Sequence, residues 1–447
     1  MSDLILINNL WIIIAALLVF LMTIAVGMLE VGELGKHFSR SLLKTILITG
    51  LALFLMAFIG FNIAFAPTLF GIIGKPDYTG FFFGSLSSNT INAISGTWWS
   101  MTGQYFGTGL LTGTYFLFET AFAAVTLAIV GVVALRKVKL SAFLIYSVIY
   151  FILIWTLPAA WIWNPSGWLY QLGVRDFGGG LVVHAAAGIA GLAFVVKIWQ
   201  EEKKKGLRTS PQTPISVNSG WLTLSILLLW VGWFGFNAGS VLAFTGETVV
   251  VGLNTFLAAG SALVSTMLFK YLISKRDPGY LYAVNGILVG LILMSPLSGY
   301  ISPLVAVIIG FIGGPLYLLG EKLMTRKWFS DPIGLFPTHL LLGTTGFILI
   351  AFVAQKGYAS YSGASNLPNG ILFGGGMLAL RQLGVELLAV VAVFAFVFAL
   401  SYVTLVIIGR FTKGITTDYT SENVSSTMAE PTSVSPAPTT SLNHGMK

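Results

Sequence analysis

The chain has 447 residues, of which 56% are hydrophobic and 9% charged, with a formal net charge of +8 and a mean hydropathy of +0.87. A soluble domain carries about 25% charged residues, so this composition excludes a soluble globular protein and indicates a polytopic membrane protein. The basic residues are spread over the short stretches between apolar runs, which excludes a nucleic-acid partner, and the absence of cysteine excludes disulfides, thiolate metal sites and a cysteine nucleophile.

A membrane span needs roughly 20 apolar residues. On that criterion the chain holds eleven candidates, at 9–31, 42–66, 109–134, 141–163, 177–199, 219–242, 248–272, 279–297, 300–320, 333–354 and 379–410. The first lacks a preceding basic stretch and runs past signal-peptide length, so it reads as a span and not as a cleaved leader. Residues 67–108 are polar, aromatic and Gly-rich, and are expected to cap the outer face as a long loop. After 413 the chain turns Ser/Thr/Pro-rich, a composition that cannot bury a core. The expected fold is therefore all-α and integral to the membrane: a domain over 1–413 with a disordered cytoplasmic tail over 414–447.

The loops orient the spans. With the N-terminus outside, Lys75, Arg175, Lys356 and Arg381 lie on the outer side, and the other 20 of the 24 Lys and Arg residues lie inside. That asymmetry follows the positive-inside rule and predicts a multi-pass protein of the cell membrane with its N-terminus out and its C-terminus in.

Two of the four histidines fall inside apolar spans. His184 follows Asp176 by eight residues in DFGGGLVVHAAAGIAG, and His339 follows Asp331 by eight. His37 and His444 lie in a loop and the tail. His184 lies about 11–12 Å below the outer end of the fifth span at 1.5 Å per residue, and His339 lies a similar distance above the inner end of the tenth. Both approach the midplane of a hydrocarbon core ~30 Å thick. Spans 1–5 and 6–10 therefore read as an inverted repeat with the site at its interface and a long eleventh helix outside it. Neither histidine has a carboxylate at ligand spacing, so a metal site is not expected. A neutral imidazole donates from one ring nitrogen and accepts at the other, so two of them can share a proton and line a polar path through an apolar wall.

DFGGGLVVH at 176–184 and LLWVGWFGFNAGS at 228–240 resemble the ammonium transporter family (Amt/Mep/Rh), on its Amt side. The likeness continues in WNPSGWLYQLGVRDF at 163–177, SAFLIY at 141–146, NTFLAAGSAL at 254–263, AVNGILVGLI at 283–292 and SPLSGYISP at 295–303. The resemblance implies eleven spans, an internal pseudo-twofold axis and a homotrimer with one pore per subunit. It implies a substrate recruitment site at Trp163 and Ser240 with Phe122 below, a gate of Phe122 and Phe236, and twin pore histidines at His184 and His339. Asp176 matches a structural acid near the outer site. Each residue also has a plainer role open to it: Trp163 as an interfacial anchor, the phenylalanines as packing, Ser240 bonded to its own helix, Asp176 as a helix N-cap.

The implied function is a transporter or channel for ammonium or ammonia, with no cofactor. The alternative is a sensor that binds ammonium and signals through its cytoplasmic side. An enzyme is not expected, because no Ser–His–acid set, metal cluster or nucleotide loop accompanies the histidines. The sequence leaves open whether methylammonium passes and whether a PII-type regulator docks on the cytoplasmic face. Three departures from the family pattern stand out: Gly334 replaces an acidic residue, Leu340 replaces a glycine, and Glu119 replaces a glutamine. As a mid-span carboxyl, Glu119 is expected to be neutral or paired.

Overall fold

The computed structural model describes residues 3–34, 38–75, 110–134, 137–206, 218–324, 331 and 334–417. His37, His444, the outer loop beyond Lys75 and the tail beyond Thr417 lie outside these residues. In chain order the helices are α1 (Asp3–Leu34), α2 (Phe38–Leu55), α3 (Phe61–Phe65), α4 (Thr112–Ala134), α5 (Leu140–Ile149), α6 (Thr156–Ile162), α7 (Trp168–Gln171) and α8 (Ala186–Lys204). They continue with α9 (Ser219–Trp233), α10 (Gly246–Ser274), α11 (Tyr280–Met294), α12 (Pro303–Met324), α13 (Leu341–Val353), α14 (Lys356–Tyr361) and α15 (Gly376–Phe411). A two-stranded hairpin, β1 (Thr68–Leu69) and β2 (Ile73–Gly74), pairs Thr68 with Gly74 and Leu69 with Ile73.

Among the described residues ten helices are long and apolar enough to cross a membrane, and α11 is a shorter apolar helix where the eighth span was expected. α1 packs against α4 and α9, α10 against α11 and α12, and α8 against α4 and α15. Lipid gives helices no hydrophobic reason to associate, so close packing and internal hydrogen bonds must hold them. α4 shows how: its small residues Ala121, Ala123 and Ala124 are buried with nearly all of the rest of the helix, which places α4 at the centre. α15 instead leaves Leu387, Val391, Val403 and Ile407 exposed, as suits an outer helix against acyl chains.

Backbone and side-chain polar groups must be satisfied within the protein at this depth. Thr126 and Thr255 donate to the carbonyls of Phe122 and Val251 one turn back, at 2.6 and 2.8 Å. The buried carboxylate of Glu30 is paired with Lys44 and accepts from Ser41; a buried charge without such partners would be strongly destabilising. Near the C-terminal end of α8 the Glu201 carboxylate accepts from the backbone N–H groups of Ile415 and Thr416, each at 3.0 Å. Val138 bridges Thr416, so the chain is held through Thr416, three residues past the expected domain end at 413.

Among the described residues five short segments wind as π-helix: Met56–Gly60, Tyr150–Ile154, Gly180–Ala185, Phe234–Ala238 and Phe336–Leu340. Such turns widen a helix by one residue and recur at functional sites. Three of the five carry His184, Phe236 and His339.

Candidate functional site

Each histidine segment is started by an acid. Asp176 accepts from the backbone N–H of Gly180 at 2.7 Å through Oδ1, and from Leu181 and Val182 at 2.9 Å each through Oδ2. Asp331 accepts from Leu335 at 2.8 Å and Phe336 at 3.0 Å. The first N–H groups of a helical segment have no internal partner, and these carboxylates supply one. Burial pushes the Asp176 carboxyl up to about 6 against the pull of the N–H groups, which leaves it mostly ionised at pH 7.5. Both segments also turn through a glycine three residues after the acid: Gly179 has φ +100° and Gly334 φ +73°. Only glycine takes that left-handed conformation without strain. The departure at Gly334 thus has a backbone reason.

The two segments bring the rings together. His339 Nδ1 lies 3.2 Å from His184 Nδ1, within hydrogen-bond reach. His184 is fully buried and its ring stacks against Trp233 and Phe236, at centroid distances of 5.5 and 5.6 Å. His184 Nε2 is 3.2 Å from Ser295 Oγ. α13 reaches this pair because residue 343 is glycine: a Cβ there would lie 2.7 Å from His184 Cβ.

On the Asp176 side of the pair the Phe122 and Phe236 rings lie 4.3 Å apart at 34°, and Trp163 meets Phe122 edge-on at 5.7 Å. Both phenylalanines are buried, and their rings fill the space between Trp163 and His184. Trp163 Nε1 donates to the backbone carbonyl of Asp176 at 2.8 Å, which fixes the indole. Ser240 Oγ donates to its own helix at Phe236 O, 2.8 Å away. With its proton committed there, that oxygen can meet a cation only as an acceptor. Glu119, one turn from Phe122, is hydrogen-bonded to Tyr115, and its Oε2 is buried without a hydrogen-bond partner.

On the side of the pair away from Phe122 a cavity of ≈ 30 Å³ opens beside His339, lined by Thr338, Val26 and Leu29 of α1, Val125 and Ile129 of α4, Trp233, Leu288 and other apolar residues. That is room for a water-sized molecule, in a wall with no charged side chain.

The structure thus brings Asp176, Trp163, Phe122, Phe236, His184 and His339 into one contiguous line, and sets Ser240 one turn beyond Phe236. Sequence reasoning missed Trp233 and Ser295. Trp233 stands one turn before Phe236, within the motif at 228–240, and that spacing was the available signal. Ser295 opens the motif at 295–303, with nothing local to link it to His184.

A sequence profile described as the Ammonium Transporter Family matches residues 10–431. The "Ammonium transporter" of Bacillus subtilis (strain 168) is 32% identical over 328 residues, covering 72% of this chain and 77% of that protein. A solved structure of a protein named "Sensor Amt Protein" superposes with a TM-score of 0.76 at 26% identity, covering 93% of this chain and 95% of that one. Candida albicans Mep2 superposes with a TM-score of 0.78 at 23% identity over 91% of this chain and 85% of its own, a likeness of fold.

Proposed function

The chain belongs to the ammonium transporter family, and on that premise we propose that it conducts ammonium or ammonia across a cell membrane through the line of residues from Trp163 to His339. The observation that carries this reading is the Nδ1–Nδ1 contact of 3.2 Å between two histidines in an otherwise apolar wall. Ammonium is held at the mouth by the Trp163 and Phe122 faces and the Ser240 oxygen. Each aromatic contact is worth about 0.5–2 kcal/mol as water is excluded. Carrying the bare ion through hydrocarbon costs on the order of tens of kcal/mol. Leaving the proton with water at the mouth and passing neutral ammonia onward avoids most of that cost. Phe122 and Phe236 act as the gate, and the histidines hydrogen-bond what passes.

Asp176 contributes by fixing the start of the His184 segment. Eleven spans, counting α11, and an inverted repeat of 1–5 on 6–10 fit the matched starts of the two histidine segments: an acid, a left-handed glycine three residues on, and then a π-turn that carries the histidine. The reading extends to an N-out, C-in orientation, a homotrimer in the bilayer, a membrane domain over 1–413, methylammonium as a second substrate and a cytoplasmic face open to a PII-type protein. The likeness to the Sensor Amt Protein favours one alternative, a sensor that binds ammonium at the same mouth and signals inward. Flux into proteoliposomes after an ammonium jump tests the two: transport predicts a flux well above empty liposomes, and a sensor predicts binding without flux.

A further inference from the structure

Four polar groups meet at Ser295, and their hydrogens can be assigned one by one. Trp233 Nε1, 3.0 Å from Ser295 Oγ, can only donate. The hydroxyl has a single proton. At the C-terminus of α11 the backbone N–H of Ser295 bonds Ile292 O, at 3.2 Å, and not Leu291 O. The Leu291 carbonyl is instead met by Ser295 Oγ at 3.0 Å, which takes the hydroxyl proton. With that proton committed, the 3.2 Å contact to His184 holds only if His184 Nε2 carries the hydrogen.

The assignment then runs on through the pair. A neutral imidazole has one N–H, so a His184 protonated at Nε2 has a bare Nδ1. The 3.2 Å Nδ1–Nδ1 contact must then be donated by His339. His339 Nε2 is left with its lone pair and no partner among the described residues. His184 is fully buried, whereas His339 borders the cavity. The rings are therefore unequal.

We propose that Ser295, held by Trp233 and the end of α11, is a positioning residue that fixes the His184 tautomer and so presents His339 Nε2 to the cavity as a hydrogen-bond acceptor. The inference rests on the reading of the pair as part of the conduction path. An acceptor at that point suits the N–H groups of ammonia or ammonium entering from either side, and both rings stay uncharged. Ser295 touches neither the substrate nor the cavity; it acts through His184.

The test is nitrogen-15 NMR of the full-length, histidine-labelled protein in liposomes, where a protonated and a bare ring nitrogen give separate shifts. The two rings are assigned with His184→Asn and His339→Asn. The expected result is a proton on His184 Nε2 and on His339 Nδ1. In Ser295→Ala the His184 signal shifts or splits between tautomers, and ammonium flux falls roughly tenfold, the scale of one buried hydrogen bond. Ser295→Thr restores both. Trp233→Phe, which keeps the hydroxyl, retains the tautomer. A proton on His184 Nδ1 in the unaltered protein, or an unchanged His184 signal in Ser295→Ala, overturns the proposal, and the first of these needs no variant to fold. The expected tautomers in a protein that passes no ammonium would overturn the transport reading and leave the Ser295 assignment standing.

Discussion

Removing the Asp176 carboxylate should cost more than any single cap substitution elsewhere on the chain, and the structure gives the size. Asp176→Ala strands three backbone N–H groups, those of Gly180, Leu181 and Val182. At 5% exposure water does not replace the lost acceptor. A buried orphan costs about 1–3 kcal/mol, so three sum to roughly 3–9 kcal/mol, comparable with the whole stability of an ordinary domain, about 5–15 kcal/mol. Asp176→Asn is milder. Its amide oxygen can keep the two bonds now made by Oδ2 and strand only the Gly180 N–H, at about 1–3 kcal/mol. Asp331→Ala strands two N–H groups and falls between, at about 2–6 kcal/mol. The assay is denaturant titration of the purified protein in micelles at pH 7.5, followed by tryptophan fluorescence, with flux measured in parallel. The order expected is Asp176→Ala, then Asp331→Ala, then Asp176→Asn. An Asp176→Ala protein within about 1 kcal/mol of the unaltered one, or Asn as harmful as Ala at 176, would refute the cap reasoning.

Trp163→Leu with Ser240→Ala should reduce uptake at low ammonium and matter little at high ammonium; unchanged uptake at low supply would return both residues to anchor and backbone-bonding roles. Glu119→Gln should fold and conduct, since the amide can keep the Tyr115 bond; loss of flux with normal protein yield would put the carboxyl charge in the mechanism. Gly334→Ala should cost about 1–2 kcal/mol from the left-handed backbone alone, because a Cβ there meets nothing closer than Pro337 Cγ at 3.7 Å. A neutral result in thermal unfolding would show that the turn relaxes.

The helices were legible because each needs a run of about 20 apolar residues, a signal that survives without any knowledge of packing. The histidine pair was legible from its equal spacing to Asp176 and Asp331 in spans of opposite direction. What the spacing did not reveal is how the acids act. Only the structure shows them capping the segments, with Gly179 and Gly334 making the same left-handed turn. In sequence Gly334 looked like a lost acid, because composition carries no φ angle. The π-turns were invisible for a related reason: one extra residue in a helical turn leaves an all-apolar pattern unchanged. Ser295 lies 111 residues from His184, so no local pattern could join them. The same holds for Glu201 and Thr416, whose contact extends the ordered chain beyond the composition break at 413.

The most direct test of the conduction path is ammonium and potassium flux in proteoliposomes for the unaltered protein beside His184→Ala, His339→Ala and His184→Glu. The unaltered protein should pass ammonium and exclude potassium. Either alanine strands the partner ring that now sits 3.2 Å away and should cut ammonium flux by about tenfold or more, the cost of one unpaired buried group, while the protein still assembles. Glutamate restores polarity but adds charge, and should admit potassium with ammonium. Ammonium flux at the unaltered rate in both alanine variants would contradict the claim that conduction runs past the histidine pair.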